Sequence, residues 1–241
     1  KYTRKVGGNM TIMEAIKKGM IELKNTNIET PKLKARLLMQ FTLNKPRQYI
    51  IVNDLNKLTA KEEKQYFSAI KKMRQGVPLE HITHQREFMK LNFFVNENVL
   101  IPRQDTEILV EEVINIAKKT NAKTILDLCT GSGAIAVSLA KYLPNTEITA
   151  VDISQEALKV AKKNAISNEV ENQITFISSD LFTNLENQKF DIIVSNPPYI
   201  KEGVMKELDK EVKMEPELAL NGGKDGLYFY RKIVSNAYQY L

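Results

Sequence analysis

The chain has 241 residues, is 43% hydrophobic and 27% charged, and carries a net charge of +6, which leaves room for one large domain or two modest ones with a proper core. No apolar run is long enough to span a membrane, and no n-region and h-region pattern opens the chain. Cys129 is the only cysteine, which excludes an intrachain disulfide and favours a reducing, cytoplasmic setting.

The charge is unevenly placed. Residues 1–87 hold 18 Lys/Arg against 8 Asp/Glu, and the remainder holds 17 against 21. A basic first part followed by a mildly acidic second part suits contact with an acidic or nucleic-acid-bearing partner, or simply lysines that keep a helical domain soluble. Lys1 to Asn9 shows no periodicity and reads as a tail. Thr11-x-x-Glu14 is a capping box that opens a helix through about Leu23. Pro31 starts a second helix with Leu33, Leu37, Leu38 and Phe41 at helical spacing, and Pro46 to Val52 suits a short third one. Thr59-x-x-Glu62 opens a fourth, ending near Gly76, with Tyr66, Phe67, Ile70 and Met73 on its apolar side. This predicts a small helical-bundle domain over residues 1–80 whose stripes are core rather than a ligand box.

The pattern changes at "HITHQREFMKLNFFV", a β-rich run that predicts a hairpin linker over residues 81–103. His81 and His84 lack the further His or Cys that a metal site needs, so no metal is expected. "LIPRQDTEILVEEVINIAKK" follows as a helix with Leu109, Val113, Ile116 and Ala117 on one face. Strict alternation comes next, with strands at Lys123–Leu128, Glu147–Asp152, Gln173–Ser178 and Phe190–Ser195. A helix over Gly133–Tyr142 separates the first two, and a helix capped by Ser154, bearing Leu158, Ala161 and Ala165, separates the second and third. Strands separated by helices predict an α/β domain over residues 104–241 with a doubly wound, mostly parallel sheet.

Chemistry gathers at the strand ends. In "ILDLCTGSGAIAVSLA", Gly131 and Gly133 let backbone approach a ligand and allow tight packing, and the helix start favours an anion. The pattern is not the dinucleotide G-x-G-x-x-G, because Cys129 stands two before Gly131 and Ala134–Ala136 follow. Asp152 ends the second strand, where a carboxylate takes ribose hydroxyls. Asp180, after the third, is placed to accept from an adenine amino group. Their order points to a nucleoside-type ligand.

The fourth strand, "FDIIVSNPPYI", stops at two prolines that cannot continue a ladder. An amide nitrogen is a poor nucleophile, and a site helps it by accepting hydrogen bonds from both its N–H groups. Asn196 offers a side-chain carbonyl and Pro197 a backbone carbonyl, held rigidly by the prolines, while Tyr199 offers a flat face to a planar group.

Together these features resemble a class I S-adenosylmethionine-dependent methyltransferase. More narrowly, "LIPRQDTEILVEEV", "LDLCTGSGAIAVSLA", "DLF", "FDIIVSNPPYI" and "EPELALNGGKDGLYFYRKI" resemble the PrmC/HemK family. The resemblance covers most of the chain from about Met10. It implies methyl transfer to the side-chain amide of the glutamine in the GGQ motif of class 1 peptide-chain release factors, with S-adenosyl-L-methionine as cofactor and S-adenosyl-L-homocysteine as product. It also implies a cofactor set of Asp127, Cys129, Thr130, Gly131, Ser132, Gly133, Asp152, Asp180, Leu181 and Asn196. Substrate contact falls to Asn196, Pro197, Pro198 and Tyr199, with Asn196, Pro197 and Tyr199 at the chemistry. The chain departs from the family pattern at Cys129, where glycine is usual, and at Gln104-Asp105, where Pro-Glu is usual. Two other readings of the same residues stay open: a methyltransferase for exocyclic amines of DNA or RNA, and a non-catalytic RNA- or ribosome-binding protein with a cofactor fold. Only a long loop and a helix over about Gly226–Tyr240, bearing Leu227, Tyr230, Ile233, Val234 and Ala237, follow the fourth strand. Three further strands are usual in this class, so the 241 residues are expected to be a fragment with the fourth strand at a sheet edge.

Overall fold

In the computed structural model, which describes residues 7–241 apart from Asn27 and Asn187, the chain divides into two units between Thr83 and His84. The first runs β1 (Gly7–Thr11), α1 (Ile12–Lys24), α2 (Pro31–Leu43), α3 (Arg47–Val52), β2 (Lys57–Thr59), α4 (Ala60–Arg74) and α5 (Leu79–Thr83). Both expected capping boxes form: the Glu14 amide donates to Thr11 and the Glu62 amide to Thr59, and each glutamate accepts from its cap backbone. β1 pairs antiparallel with β2, so residues 7–9 belong to a strand rather than to the expected tail. Residues 1–6 lie outside the described residues. A three-residue strand such as β2 is too short to carry a period in the sequence.

The core of this unit gathers Leu23, Leu38, Met39, Tyr66, Ile70 and Met73. The α2 stripe is rotated from the expected one: Ala35, Leu38 and Met39 face inward, while Leu33 and Phe41 are exposed. In α1, Gly19 lies against α4, where an added Cβ would stand 2.4 Å from the Tyr66 hydroxyl and 2.9 Å from Ile70 Cδ1.

The second unit runs β3 (Arg86–Phe88), β4 (Leu91–Phe93), α6 (Asp105–Thr120), β5 (Thr124–Leu128), α7 (Ala134–Tyr142), β6 (Glu147–Asp152), α8 (Gln155–Ser167), β7 (Ile174–Ser178), β8 (Ile192–Ser195), α9 (Glu217–Leu220) and α10 (Tyr228–Ala237). The expected hairpin is present but narrower than residues 81–103. His81 and Thr83 are helical, and Phe88 and Phe93 join the larger unit's core rather than a linker. Strands β5 to β8 form a parallel sheet in the order β7-β6-β5-β8. β8 stands at an edge, paired with β5 alone among the described residues.

Alternation along the strands feeds two cores. Ile125, Ile148, Ala150 and Val194 face α6 and α7, whereas Leu126, Leu128 and Val151 face the opposite layer with Phe182, Leu185 and α10. Helices therefore cover both faces, as the doubly wound pattern requires. Two helix faces differ from expectation. On α6, Ile114 is buried and Ile116 exposed. On α10, Phe229, Ile233 and Ala237 pack inward with Tyr240 just beyond, while Leu227, Tyr230 and Val234 are exposed. No described helix is long and apolar enough to cross a membrane.

Tyr66 is fully buried and donates its hydroxyl to the Ala35 carbonyl at 3.2 Å. Gly19→Ala should therefore push a rigid ring off its hydrogen bond, outweighing the roughly 1 kcal/mol that alanine gains in a helix. Thermal denaturation should show a net loss of about 1–3 kcal/mol, and a variant as stable as the parent would mean that α1 and α4 can slide apart freely.

Candidate active site

The strand order reverses between β5 and β8, and in open parallel sheets ligands bind at the carboxyl ends beside such a reversal. Two segments leave the sheet there: residues 129–133 after β5 and the Asn-Pro-Pro-Tyr segment after β8. A cavity of about 260 Å³ opens between them, lined by Cys129, Gly131, Asp152, Asp180, Leu181, Asn196 and Pro198 together with Val99, Leu100, Tyr228, Phe229 and Lys232.

The glycine loop is held from two sides. Asp127 is fully buried and its Oδ2 accepts from the Thr130 hydroxyl at 2.6 Å and the Ala136 amide at 3.2 Å. Asp152 sits on the neighbouring strand and accepts from the Gly131 amide at 2.8 Å through one oxygen and from the Ser154 amide at 2.9 Å through the other. Gly131 and Gly133 adopt φ of +56° and +79°. A Cβ on Gly131 would enter open space beside the cavity, whereas one on Gly133 would meet Ala161 at 3.0 Å. One glycine thus clears room for a ligand and the other packs against α8. Cys129 takes φ +60° without being glycine. Burial, with Asp152 adding to it, pushes its thiol up to about 12, so it is neutral and a poor nucleophile near pH 7.

Of the expected cofactor set, Cys129, Gly131, Asp152, Asp180, Leu181 and Asn196 line the cavity. Asp127, Thr130, Ser132 and Gly133 stand behind that wall. Asp127 Oδ1 is buried without a hydrogen-bond partner among the described residues, which adds to the cost of ionising this carboxyl. Asp180 lies 3.8 Å from the Lys232 ammonium of α10. Burial raises Asp152 above its ordinary range in spite of its backbone donors.

At the other wall, Pro197 and Pro198 are buried and Tyr199 is 55% exposed. Asn196 lines both the cavity and an open groove formed with Arg103, Thr106, Leu109 and Tyr199. Its Nδ2 donates to the Thr106 hydroxyl at 3.2 Å, which leaves its carbonyl oxygen without a partner among the described residues. The segment 221–226 clamps the turn from outside. The Ile200 amide donates to the Leu220 carbonyl, and the Gly222 amide donates to Ile200 at 2.8 Å. A Cβ at Gly222 would strike Tyr199 Cα at 2.6 Å, and one at Gly226 the Tyr199 carbonyl at 2.4 Å.

Three positioning residues were not singled out from the sequence. Asn164 is fully buried and ties the Phe94 backbone to the Ser132 carbonyl, which it reaches at 2.8 Å. Its signal was a polar residue on the stripe with Ala161 and Ala165. Glu215 is buried against the Ile101 amide and the Arg103 guanidinium, and Thr106 meets Asn196. Neither of these has a local signal.

Residues 103–215 match the family model described as the methyltransferase small domain, and residues 14–83 match the PrmC N-terminal domain. The fold, the cavity at the reversal and these matches define an S-adenosylmethionine-dependent methyltransferase. A release factor glutamine methyltransferase of Clostridium acetobutylicum is 42% identical over 229 residues, covering 94% of this chain and 80% of its own. That of Clostridium botulinum is 39% identical over 235 residues, covering 96% and 83%. The chain belongs to the release factor glutamine methyltransferase family. It also spans 46% of a bifunctional methyltransferase of Rickettsia bellii at 37% identity. Among solved structures, the hMettl16 catalytic domain with the MAT2A 3′UTR hairpin 6 shares the fold at TM-score 0.53 and 18% identity, over 67% of this chain and 61% of that one.

Burial is the main reason that Asp127 is pushed up to about 7 from an ordinary 3.8. A carboxyl that stays neutral in the folded state takes up a proton on folding, so its stability contribution is full below 3.8 and is lost as pH rises through about 7. Asp127→Asn keeps an acceptor for Thr130 and Ala136 without the ionisation. Thermal melts between pH 5 and 8 should therefore fall more steeply for the wild type than for the variant, and parallel curves would show that Asp127 is already ionised.

Proposed function

We propose that this chain transfers a methyl group from S-adenosyl-L-methionine to the side-chain amide nitrogen of the glutamine in the GGQ motif of class 1 peptide-chain release factors, in the cytoplasm. The observation that carries this reading is the position of Asn196, on the wall shared by the cavity and the neighbouring groove. The names of the Clostridium relatives support the substrate class.

The cavity fits the cofactor in kind. Gly131 leaves room for a close approach, Asp152 keeps unused lone pairs for ribose hydroxyls, and Asp180 is an acceptor at the adenine end. When bound, that cofactor supplies a methyl group on a sulfonium, an electrophile that needs no metal or strong base. The chain's own work is then alignment. The Asn196 carbonyl accepts from one N–H of the glutamine amide and the Pro197 backbone carbonyl from the other. Tyr199 stacks beside the planar group at the groove. The product loses its extra proton after transfer.

Asn196→Ala should keep the fold and most of the cofactor affinity while slowing methyl transfer to a release factor by about a hundredfold or more. A rate near the parental one would remove Asn196 from the mechanism. Offering DNA and ribosomal RNA beside the release factor tests the substrate, and methylation of either nucleic acid in its place would overturn the glutamine assignment. Asp152 needs a subtler change than alanine, because it also holds Gly131 and Ser154. Asp152→Asn keeps the size and one of the two amide bonds but sets an NH₂ donor against the other amide, so calorimetry is read beside a melting curve. With the fold intact, cofactor binding should weaken by about 1.5–3 kcal/mol for each charge-assisted bond lost, and unchanged affinity would exclude its ribose role.

A further inference from the structure

Asp180 is an acceptor at the adenine end of the cavity, but an acceptor alone reads only half of that edge. A ring nitrogen with a bare lone pair stands on either side of adenine's amino group, so the edge sets a donor beside an acceptor. A wall matched to it needs a donor next to the Asp180 carboxylate. A lysine ammonium fills that need without ambiguity, because it donates and cannot accept.

We propose that Lys232 is a further cofactor-binding residue, whose ammonium donates to a ring nitrogen flanking the adenine amino group that Asp180 takes. The inference rests on the cofactor reading above. Lys232 and Asp180 both line the cavity, and their charged ends stand 3.8 Å apart. That gap is too long for a hydrogen bond, so neither group has closed on the other and both stay open to a ligand. Tyr228 lies one turn earlier on α10 and also lines the cavity, with the Lys232 ammonium 4.8 Å from its ring centre. A hydrogen bond with Tyr228, with Asp180 adding to it, holds that ammonium above the ordinary lysine range, so it is charged near pH 7.

Packing, rather than their own attraction, sets the spacing of the two charged residues. Phe229 and Ile233 of α10 pack with Leu181 and Phe182, which directly follow Asp180. Tyr240 stacks on Phe182 with ring centroids 4.6 Å apart and donates its hydroxyl to the Phe182 carbonyl at 3.3 Å. A half-exposed ion pair by itself is worth little. Here both backbones are fixed and both side chains face one cavity, which is what a binding pair requires. The Leu181 amide, on the same wall, is the rival donor for the ring nitrogen.

Lys232→Met keeps most of the stem and removes the donor. S-adenosyl-L-homocysteine and its 1-deaza and 7-deaza counterparts, in which C–H replaces one ring nitrogen, are titrated into wild type and variant by calorimetry. Lys232→Met should bind S-adenosyl-L-homocysteine about tenfold more weakly, with an unchanged melting temperature. The wild type should lose a similar factor with one of the two analogues, and the variant should bind that analogue as well as it binds the parent compound. Equal losses in wild type and variant would give the ring nitrogen to Leu181 and overturn the role of Lys232. Parental affinity in the variant, or a wild type indifferent to both analogues, would overturn it too. A wild type that binds none of the three compounds fails the cofactor reading itself, and the role of Lys232 with it.

Discussion

The site hangs from one loop that no regular structure supports. Between β5 and α7 the chain takes positive φ at Cys129, Gly131 and Gly133, so beyond the Thr130 amide, which still reaches the β6 backbone, its polar groups must be captured singly. Thr130 donates to the Val151 carbonyl, Gly131 to the Asp152 carboxylate, and Gly133 back to Thr130. Asp127 beneath and Asn164 alongside supply the remaining ties. A neutral bond of this kind is worth only about 1 kcal/mol net and one to a carboxylate about 1.5–3, yet leaving a buried partner unmatched costs as much or more. The loop is therefore held mainly by the penalty for any other arrangement. Asp152 serves twice: one oxygen holds Gly131 of the loop and the other the Ser154 amide of its own turn, while the remaining lone pairs face the cavity, so a ligand would add to its bonds rather than displace them.

The opposite wall is built on a different economy. Two prolines give the turn after β8 its stiffness but strip it of amide donors, so it cannot anchor itself. The anchoring comes from outside, through Ile200, Gly222 and the close approach of residues 222–226 to the Tyr199 backbone. That strap is itself fastened where Glu215 meets Ile101 and Arg103, just before α6. The start of α6 thus touches the turn twice, indirectly through Glu215 and directly through Thr106. Reading the "EPELALNGGKDG" run as a structural clamp explains its paired glycines without asking either to touch a ligand.

How much of this was legible in the sequence follows from the range of each interaction. Capping boxes act over three residues, and those at Thr11 and Thr59 were read and are present. Strand and helix periods act within one element, and the four parallel strands fell where expected within one or two residues. Helix faces were less secure. Spacing defines a stripe, but the partner decides which stripe is buried, and Leu33, Ile116 and Val234 turned out exposed. Glycines, acids and prolines at strand ends announced the cavity because their backbone demands are local. The ties from Asn164 to Phe94, Glu215 to Ile101 and Thr106 to Asn196 span 70 to 114 residues, and nothing in a local pattern encodes such a pairing.

Cys129 joins these levels. A non-glycine residue in the left-handed region bears a strain of roughly 1–2 kcal/mol from its β-carbon. Here the β-carbon also carries a thiol that packs with the apolar layer around Leu126, Leu128 and Phe182, which offsets part of that strain through burial. The same burial keeps the thiol neutral, so the residue narrows the cavity wall without adding a charge that would compete with Asp152.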